Sequence, residues 1–215
     1  MQNSKVTIID YGAGNLLSLK RAFEFLESTV VITSDQKLIS NSSRIILPGV
    51  GAFAKAMKSI RDLNLEETII SVAKKGVPFL GICLGMQLLL SESEEFGNTD
   101  GLNLIPGKVE SINKISGGKE NLKIPHIGWN TIQKSKNYKS LNQTLFNDLS
   151  ADDSFYFVHS FASVPKNSEN RLYDTIYEGV ILSAVIGNNN IYGFQFHPEK
   201  SGKNGLKLLK KFLEI

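Results

Sequence analysis

The sequence predicts an α/β protein with a doubly wound, mostly parallel sheet and an antiparallel β extension. Two observations carry this prediction. Apolar strands alternate with amphipathic helices from residue 5 to residue 92, and shorter β segments with polar loops follow. The length of 215 residues suits one such domain, spanning residues 1–215, because neither a repeat nor a linker interrupts the chain.

The alternating half starts with a buried strand at 5–11, a glycine-containing turn and a helix at 15–26 with one apolar face. The later elements of this half are predicted strands at 30–33, 44–47 and 77–82 and predicted helices at 52–60 and 65–75. Pro48 marks a turn after one strand, and Gly76 suits the C-cap before another. Ligand sites in such sheets gather at the carboxyl ends of strands, so these loops are the first candidates for function.

The β extension is predicted from three short segments at 104–115, 124–132 and 155–161. Residues 187–190, Gly-Asn-Asn-Asn, indicate a hairpin turn between strands at 181–186 and 191–196. A last helix is predicted at 204–213, where Leu206, Leu209 and Phe212 form an apolar stripe.

Composition excludes several classes of function. The net charge is +3, from 24 Lys and Arg against 21 Asp and Glu, which argues against nucleic acid or an anionic membrane as partner. The single cysteine excludes an internal disulfide and fits the cytoplasm. No signal peptide is expected, and no apolar run approaches the ~20 residues of a membrane span.

No metal or cofactor is expected either. His126, His159 and His197 lie far apart, without metal-ligand spacing. The glycine turn after the first strand is not a dinucleotide motif, because its third glycine would fall at Leu17. Asn15, in the same turn, is on physical grounds an N-cap rather than a ligand group.

The stretch around Cys83 predicts a nucleophile. In Gly81-Ile82-Cys83-Leu84-Gly85 a buried strand turns into a helix, with a glycine two residues either side of the cysteine, as in a G-x-S-x-G elbow with sulfur in place of oxygen. The glycines relieve crowding at the corner, and the helix N-terminus favours a thiolate. The N–H of Leu84 can stabilise an oxyanion. The alternative for a lone cysteine is an ordinary core position.

A base for this cysteine is predicted at His197-Pro198-Glu199. Residues two apart on an extended chain face the same side, so Glu199 can orient the His197 imidazole. Pro198 keeps His197 out of the helical region. The alternative is a surface His-Pro turn. His159 and His126 compete as bases but have no nearby carboxylate in sequence.

Together these residues resemble the class I, triad-type glutamine amidotransferases, a flavodoxin-like family. Further motifs resemble the glutaminase subunits of imidazole glycerol phosphate synthase: residues 9–15 (Ile-Asp-Tyr-Gly-Ala-Gly-Asn), 47–53 (Leu-Pro-Gly-Val-Gly-Ala-Phe), 125–130 (Pro-His-Ile-Gly-Trp-Asn) and 196–202 (Phe-His-Pro-Glu-Lys-Ser-Gly). The resemblance covers residues 5 to about 213.

The resemblance implies roles for individual residues. Cys83, His197 and Glu199 would be the catalytic triad. The oxyanion hole would combine Leu84 with the loop Gly49, Val50 and Gly51, which is thought to reorient when the partner is loaded. Glutamine would be held by Gln87, Glu95 and the stretch His159, Ser160 and Phe161, where many relatives carry Tyr in place of Phe161. Asn15, Trp129 and Lys200 would face the partner.

The implied reaction is hydrolysis of glutamine to glutamate and ammonia. The ammonia would pass to a (βα)₈-barrel cyclase subunit, bound as a heterodimer, which makes imidazole glycerol phosphate and AICAR in histidine biosynthesis. Three alternatives remain: a related subunit that supplies a sugar amidotransferase of surface-polysaccharide biosynthesis, a non-catalytic scaffold subunit, and a cysteine hydrolase with the same elbow. On its residues alone, Trp129 is more typical of a core position.

Overall fold

The computed structural model describes residues 4–138 and 143–215, and its centre is an eight-stranded mixed sheet. The five parallel strands are, in spatial order, β2 (Thr29–Thr33), β1 (Lys5–Ile9), β3 (Ile45–Leu47), β4 (Phe79–Ile82) and β14 (Ile191–Phe194). The antiparallel strands β13 (Val180–Asn188), β12 (Arg171–Tyr177) and β9 (Gln133–Lys134) continue the sheet beyond β14. The predicted fold class is confirmed.

Helices cover both faces of the sheet, as a doubly wound fold requires. One buried cluster joins the sheet to α1 (Leu16–Phe25) and α8 (Gly202–Leu213). The opposite cluster joins it to α3 (Phe53–Asp62), α4 (Glu66–Lys74) and α5 (Leu84–Leu88). The remaining helices are α2 (Gln36–Ser40), α6 (Ile112–Ile115) and α7 (Gln143–Phe146). Among the described residues, no helix is long and apolar enough to cross a membrane.

The β extension forms two small sheets beside the main one. Strands β8 (His126–Thr131) and β10 (Ser154–His159) make an antiparallel pair. The second sheet contains, in order, β11 (Phe161–Pro165), β7 (Gly107–Ser111), β5 (Glu92–Ser93) and β6 (Thr99–Asp100). β10 and β11 are separated by Ser160 alone, so one bend in the chain connects the two small sheets.

The sequence prediction is wrong in parts of this second half. The predicted β segment at 104–115 contains strand β7 and then helix α6, because Ser111 accepts a hydrogen bond from the Lys114 N–H and so caps that helix. The segment predicted at 155–161 is two strands, and β12 has no predicted counterpart. In the first half α2 is likewise unpredicted, although Asp35 caps it by accepting from the N–H groups of Lys37 and Leu38.

Candidate active site

Cys83 lies at the corner between β4 and α5 in a strained backbone conformation. Its φ is 55° and its ψ is −111°, a combination that non-glycine residues adopt rarely and mainly at functional sites. The Cys83 N–H donates to the carbonyl of Phe194, at 2.7 Å, so the corner is fixed to the neighbouring strand β14. The cysteine is 7% exposed and opens into a cavity instead of packing fully into the core.

The two flanking glycines permit this corner by close backbone packing. A Cβ on Gly81 would lie 2.5 Å from the Gly85 carbonyl oxygen, and a Cβ on Gly85 would lie 1.8 Å from the Leu47 carbonyl oxygen. Both glycines are therefore required, as predicted. A side chain on Gly81 of β4 would clash with α5, and a side chain on Gly85 of α5 would clash with the end of β3. Neither clash involves the cysteine side chain.

The cavity beside Cys83 has a volume of about 290 Å³ and collects most of the predicted site residues. Its walls are formed by Val50, Gly51, Cys83, Leu84, Gln87, Glu95, Pro125, Val158, His159, Ser160, Phe161 and His197. Glu199 and Gly49 are not among the lining residues, but Glu199 bonds to His197 and Gly49 lies beside Leu84. Predicted site residues that are more than 100 positions apart in the sequence, such as Cys83 and His197, therefore line the same cavity.

His197 and Glu199 form the predicted contact. His197 Nδ1 lies 2.9 Å from Glu199 Oε1, and the two side chains are 4% and 1% exposed. His197 is extended, as Pro198 requires, but Pro198–Lys200 form a 3-10 turn. The extended pairing predicted for the two side chains is therefore wrong: the turn brings the carboxylate back to the imidazole. The alternative of a surface turn is excluded, because His197 is buried.

The charge state of His197 is set by its neighbours. Burial disfavours the imidazolium, but interactions with Cys83 and Glu199 outweigh burial and raise the pKa of His197 to about 10. Its Nε2 has no hydrogen-bond partner among the described residues. At neutral pH the site therefore carries an imidazolium whose Nε2–H is available for a reacting group.

Tyr11 bonds to the start of the loop that contains Gly49, Val50 and Gly51, the predicted oxyanion loop. The sequence prediction assigned no role to Tyr11. The Tyr11 hydroxyl donates to the Pro48 carbonyl, at 2.7 Å, and burial together with Cys83 raises the pKa of the phenol. A Cβ on Gly49 would lie 2.6 Å from that hydroxyl. Gly51 has a φ of 96°, which favours glycine. Only glycine therefore fits on both sides of Val50.

The hydrogen bonds of Glu95 and Gln87 within the protein determine which of their polar atoms remain for a ligand. Glu95 Oε2 accepts the Phe53 N–H, at 2.7 Å, and thereby caps α3, whose own N-cap residue Ala52 has no side-chain bond to give. No hydrogen bond joins its other oxygen to another described residue, and Glu95 lines the cavity. Gln87 Nε2 donates to the Phe161 carbonyl, at 3.0 Å, and to Gln195 Oε1, at 3.1 Å.

Gln195 is a site residue that the sequence prediction missed. It is fully buried, and its Nε2 lies 3.9 Å from Cys83 Sγ. A signal for it existed: a glutamine between Phe194 and Phe196, in an apolar strand, must find polar partners.

His126 and His159 form a buried pair at the edge of the cavity. His159 Nδ1 donates to the Phe161 carbonyl, at 2.9 Å, so its Nε2 is the acceptor for His126 Nδ1, at 3.0 Å. Burial lowers the pKa of His126 to about 4 and that of His159 to about 3. Both rings are neutral at pH 7. Since both His159 nitrogens are engaged, its ring cannot act as the base that competes with His197.

The residues predicted to face a partner occupy two places. Trp129 is 57% exposed, so the core alternative is wrong. It packs edge-on against Tyr156, with ring centroids 6.1 Å apart, and Lys200 Nζ lies 5.9 Å from the same Tyr156 ring. Asn15 lies at the start of α1, where its side chain accepts the Ser18 N–H as an N-cap. In the described part of the chain, no hydrogen bond or ring contact joins Asn15 to Trp129, Tyr156 or Lys200.

Comparison with known proteins agrees with this geometry. The model of the family "Glutamine amidotransferase class-I" matches residues 7–215. Fold, elbow and cavity thus define the class, and the chain belongs to the class-I glutamine amidotransferase family.

Curated relatives narrow the class. Imidazole glycerol phosphate synthase subunit HisH 1 of Legionella pneumophila (strain Paris) is 47% identical over 212 residues, which are 99% of this chain and 100% of the relative. Subunit HisH of Chlorobium chlorochromatii is 43% identical over 210 residues, 98% and 100% of the two chains. Within the class, the chain is thus a HisH-type glutaminase subunit.

Solved structures share the fold at lower identity. The structure of PurLQS from Thermotoga maritima superposes with a TM-score of 0.70 at 18% identity, covering 99% of each chain. A crystal structure of a glutamine amidotransferase gives a TM-score of 0.68 at 18% identity and 97% coverage of both chains.

Proposed function

We propose that this chain hydrolyses glutamine at Cys83 and delivers the ammonia to a (βα)₈-barrel cyclase subunit of imidazole glycerol phosphate synthase. The observation that carries the proposal is the convergence, in one cavity, of a strained thiol, a buried imidazole with its carboxylate, and a glycine loop. An acyl-transfer reaction needs these three features: a nucleophile, an oriented proton donor and an oxyanion site.

The first step forms a thioester. The Cys83 thiolate attacks the side-chain carboxamide carbon of glutamine, and the oxyanion that develops accepts from backbone N–H groups of Leu84 and of the Val50 loop. His197 Nε2–H gives its proton to the amide nitrogen, the C–N bond breaks, and ammonia leaves. Glu199 holds the imidazole in place and stabilises its charged form.

The second step returns the enzyme to its starting state. Neutral His197 removes a proton from water, and the hydroxide attacks the γ-glutamyl thioester. The C–S bond breaks, glutamate leaves, and the thiolate and imidazolium are restored. No metal or cofactor takes part in either step.

Glutamine is oriented by polar groups at the far side of the cavity. The free carboxylate oxygen of Glu95 suits the α-ammonium group of glutamine. Because Gln87 Nε2 is already engaged twice, Gln87 can offer only its Oε1, again an acceptor for the ammonium. The α-carboxylate then requires N–H donors, which the bend at Ser160 between β10 and β11 can supply.

The cyclase is proposed to dock on the exposed face of β8 and on the turn at Pro198–Lys200. Ile127 and Trp129 are both 57% exposed, and they lie two residues apart on β8, so they share one face. Lys200 adds a positive charge beside them. An exposed aromatic residue that becomes buried on binding, with charged residues around it, is typical of the centre of a protein interface. Asn15 is proposed to contact the same partner from α1.

The experiment that tests the proposal separates glutamine from ammonia as nitrogen source. The Cys83→Ala chain is purified with the barrel cyclase, and product formation is measured with each source. Glutamine-dependent synthesis is expected to disappear, while ammonia-dependent synthesis stays close to the wild-type rate. Loss of both activities, or survival of the glutamine-dependent one, would contradict the proposed division of labour.

The same assay tests the acceptor. The cyclase's histidine-pathway substrate and an amino-accepting sugar are offered in parallel arms with their respective synthases. Glutamine-dependent amination in the sugar arm alone would replace the histidine-pathway role by the polysaccharide role.

A further inference from the structure

A chain of side-chain amides connects the glutamine pocket to the sulfur of Cys83. It runs from the Phe161 carbonyl through Gln87 to Gln195 and ends at Cys83 Sγ, with steps of 3.0, 3.1 and 3.9 Å. Gln195 is fully buried and Gln87 is 6% exposed, so water does not compete for these bonds.

The direction of every bond in this chain follows from its first member. A backbone carbonyl can only accept, so the Gln87 atom facing Phe161 is the nitrogen Nε2. The same nitrogen lies 3.1 Å from Gln195, so the Gln195 atom that meets it is the oxygen Oε1. The other end of the Gln195 amide, its NH₂ group, therefore faces the sulfur.

Among the described residues, two neutral polar groups lie 3.9 Å from Cys83 Sγ, and they favour opposite charge states of the sulfur. The Val158 carbonyl oxygen lies 3.9 Å from the sulfur and accepts only from a protonated thiol. The Gln195 N–H group lies at the same distance and donates preferentially to the thiolate. Gln195 is thus the neutral side chain that stabilises the nucleophilic form, in addition to the charged His197.

We propose that Gln195 is a positioning residue that holds the Cys83 thiolate through its Nε2–H group, with its amide orientation locked by Gln87. The inference rests on the proposed role of Cys83 as nucleophile. It also links the pocket to the nucleophile, because the Gln87 side chain that borders the substrate site is the one that fixes the amide facing the sulfur.

The test measures the reactivity of the thiol without glutamine or partner. Cys83 is the single cysteine, so the rate of alkylation by iodoacetamide reports it alone. In Gln195→Leu, we expect the pH midpoint of this rate to rise by about one unit, because an apolar side chain replaces the donor. In glutamine hydrolysis by the complex with the cyclase, the acidic limb of the pH profile of kcat is expected to move upward by a similar amount.

The matched control is Thr175→Val. Thr175 is also fully buried in the main sheet and loses one hydrogen bond, to the Thr131 carbonyl at 2.9 Å, but it does not face Cys83. Its alkylation midpoint is expected to stay at the wild-type value. Gln195→Met, which keeps the length of the side chain, serves as the second variant.

An unshifted midpoint in a folded Gln195→Leu or Gln195→Met chain overturns the proposal, as does failure of both variants to fold, which would assign the side chain a structural role. The proposed function fails by a different result: undiminished glutamine hydrolysis by Cys83→Ala. The alkylation midpoint and glutamine hydrolysis by Cys83→Ala are separate readouts, so a failure of this inference can be told apart from a failure of the proposed function.

Discussion

At the scale of single residues, the site depends on electrostatic balance around one thiol. The His197 imidazole is buried, which alone would keep it neutral, and it is charged only because Cys83 and Glu199 face it from two sides. Glu199 raises the pKa of His197 through its hydrogen bond and its electrostatic interaction, although its own side chain is only 1% exposed. Burying a carboxylate costs free energy unless it has a partner. The carboxylate of Glu199 is therefore the group to test by substitution.

Glu199→Gln keeps the shape of the side chain and removes its charge. We expect the pKa of His197 to fall and glutamine hydrolysis in the complex to drop about 100-fold or more, because the imidazolium loses its stabilising partner. The measurement is the steady-state glutaminase rate against pH. Glu94→Gln, at a surface pair with Lys114, is the control and should leave the rate unchanged. An unaltered rate in Glu199→Gln would remove Glu199 from the proposed triad.

Residue types and spacing along the chain were sufficient to predict this part of the site. Glycines two residues either side of Cys83 indicate an elbow, and a His-Pro-Glu run indicates an oriented base. The amide of Gln195 and the hydroxyl of Tyr11 were not predicted as site members, because their roles arise from contacts between β-strands distant in sequence. Gln195 meets Cys83 only since β14 pairs with β4.

At the scale of elements, the β8–β10 pair carries the exposed face on one side and the histidine pair on the other. His126 is stacked between Tyr177 and Phe157, with ring centroids 4.1 and 4.9 Å away, and it donates to His159 beside the cavity. Both pKa values lie below the ordinary value of 6.5. Protonation of His159 at Nε2 would break the hydrogen bond between them, and protonation of His126 would place a charge in a buried site.

This pair predicts acid sensitivity of the fold. Between pH 6.5 and about 4 the unfolded chain binds protons at His126 and His159 that the folded chain does not. The two histidines therefore do not reduce the free energy of unfolding above pH 6.5. Below pH 6.5 this free energy decreases as the pH falls, by up to about 1.4 kcal/mol per pH unit for each histidine. Denaturant titrations at several pH values measure this slope.

His126→Phe keeps the aromatic stack and removes one titrating group, so it should reduce the acid slope by about half. His197→Gln is the control. The pKa of His197 is raised, so its contribution is present below pH 6.5 and is lost only as the pH rises toward 10; the acid slope should stay as in wild type. Equal acid slopes in wild type and His126→Phe would contradict the assignment.

The same elements show where prediction from the sequence ends. The regular α/β half was predicted nearly complete, because buried strands and amphipathic helices have clear periods. The β extension was predicted less well, because its strands are short and partly polar, and a single cap, as at Ser111, decides between strand and helix. Exposure of Trp129 likewise depends on the strand pairing of β8, which no local pattern specifies.

At the scale of the whole molecule, the exposed face of β8 has the properties of a docking site close to the catalytic cavity. Pro125 and Val158 line the cavity, while Ile127 and Trp129 lie on the adjoining surface. A partner bound there would lie beside the cavity in which ammonia is proposed to form. The exposed face of β8 is therefore compatible with the proposed transfer of ammonia to a partner.

Trp129→Ala should weaken binding of the barrel cyclase with little change in the fold. An interface aromatic residue contributes about 2 kcal/mol or more to binding, which is a loss of roughly 30-fold in affinity. Titration calorimetry with the cyclase gives the affinity, and thermal unfolding of the isolated chain gives its stability. Leu38→Ala, another exposed apolar residue but on α2, is the control for affinity. A large fall in unfolding temperature without a change in affinity would contradict the interface role.

The central claim is that this glutaminase works as one half of a two-subunit enzyme, and one measurement tests it most directly. Glutamine hydrolysis is measured for the purified chain alone and for the chain with the barrel cyclase and its ligand. We predict a low rate for the isolated chain and a rise of about 100-fold or more in the loaded complex, the effect expected when the loop of Gly49, Val50 and Gly51 completes the oxyanion site. Full activity of the isolated chain, unchanged by the cyclase, would contradict the claim and indicate an independent hydrolase.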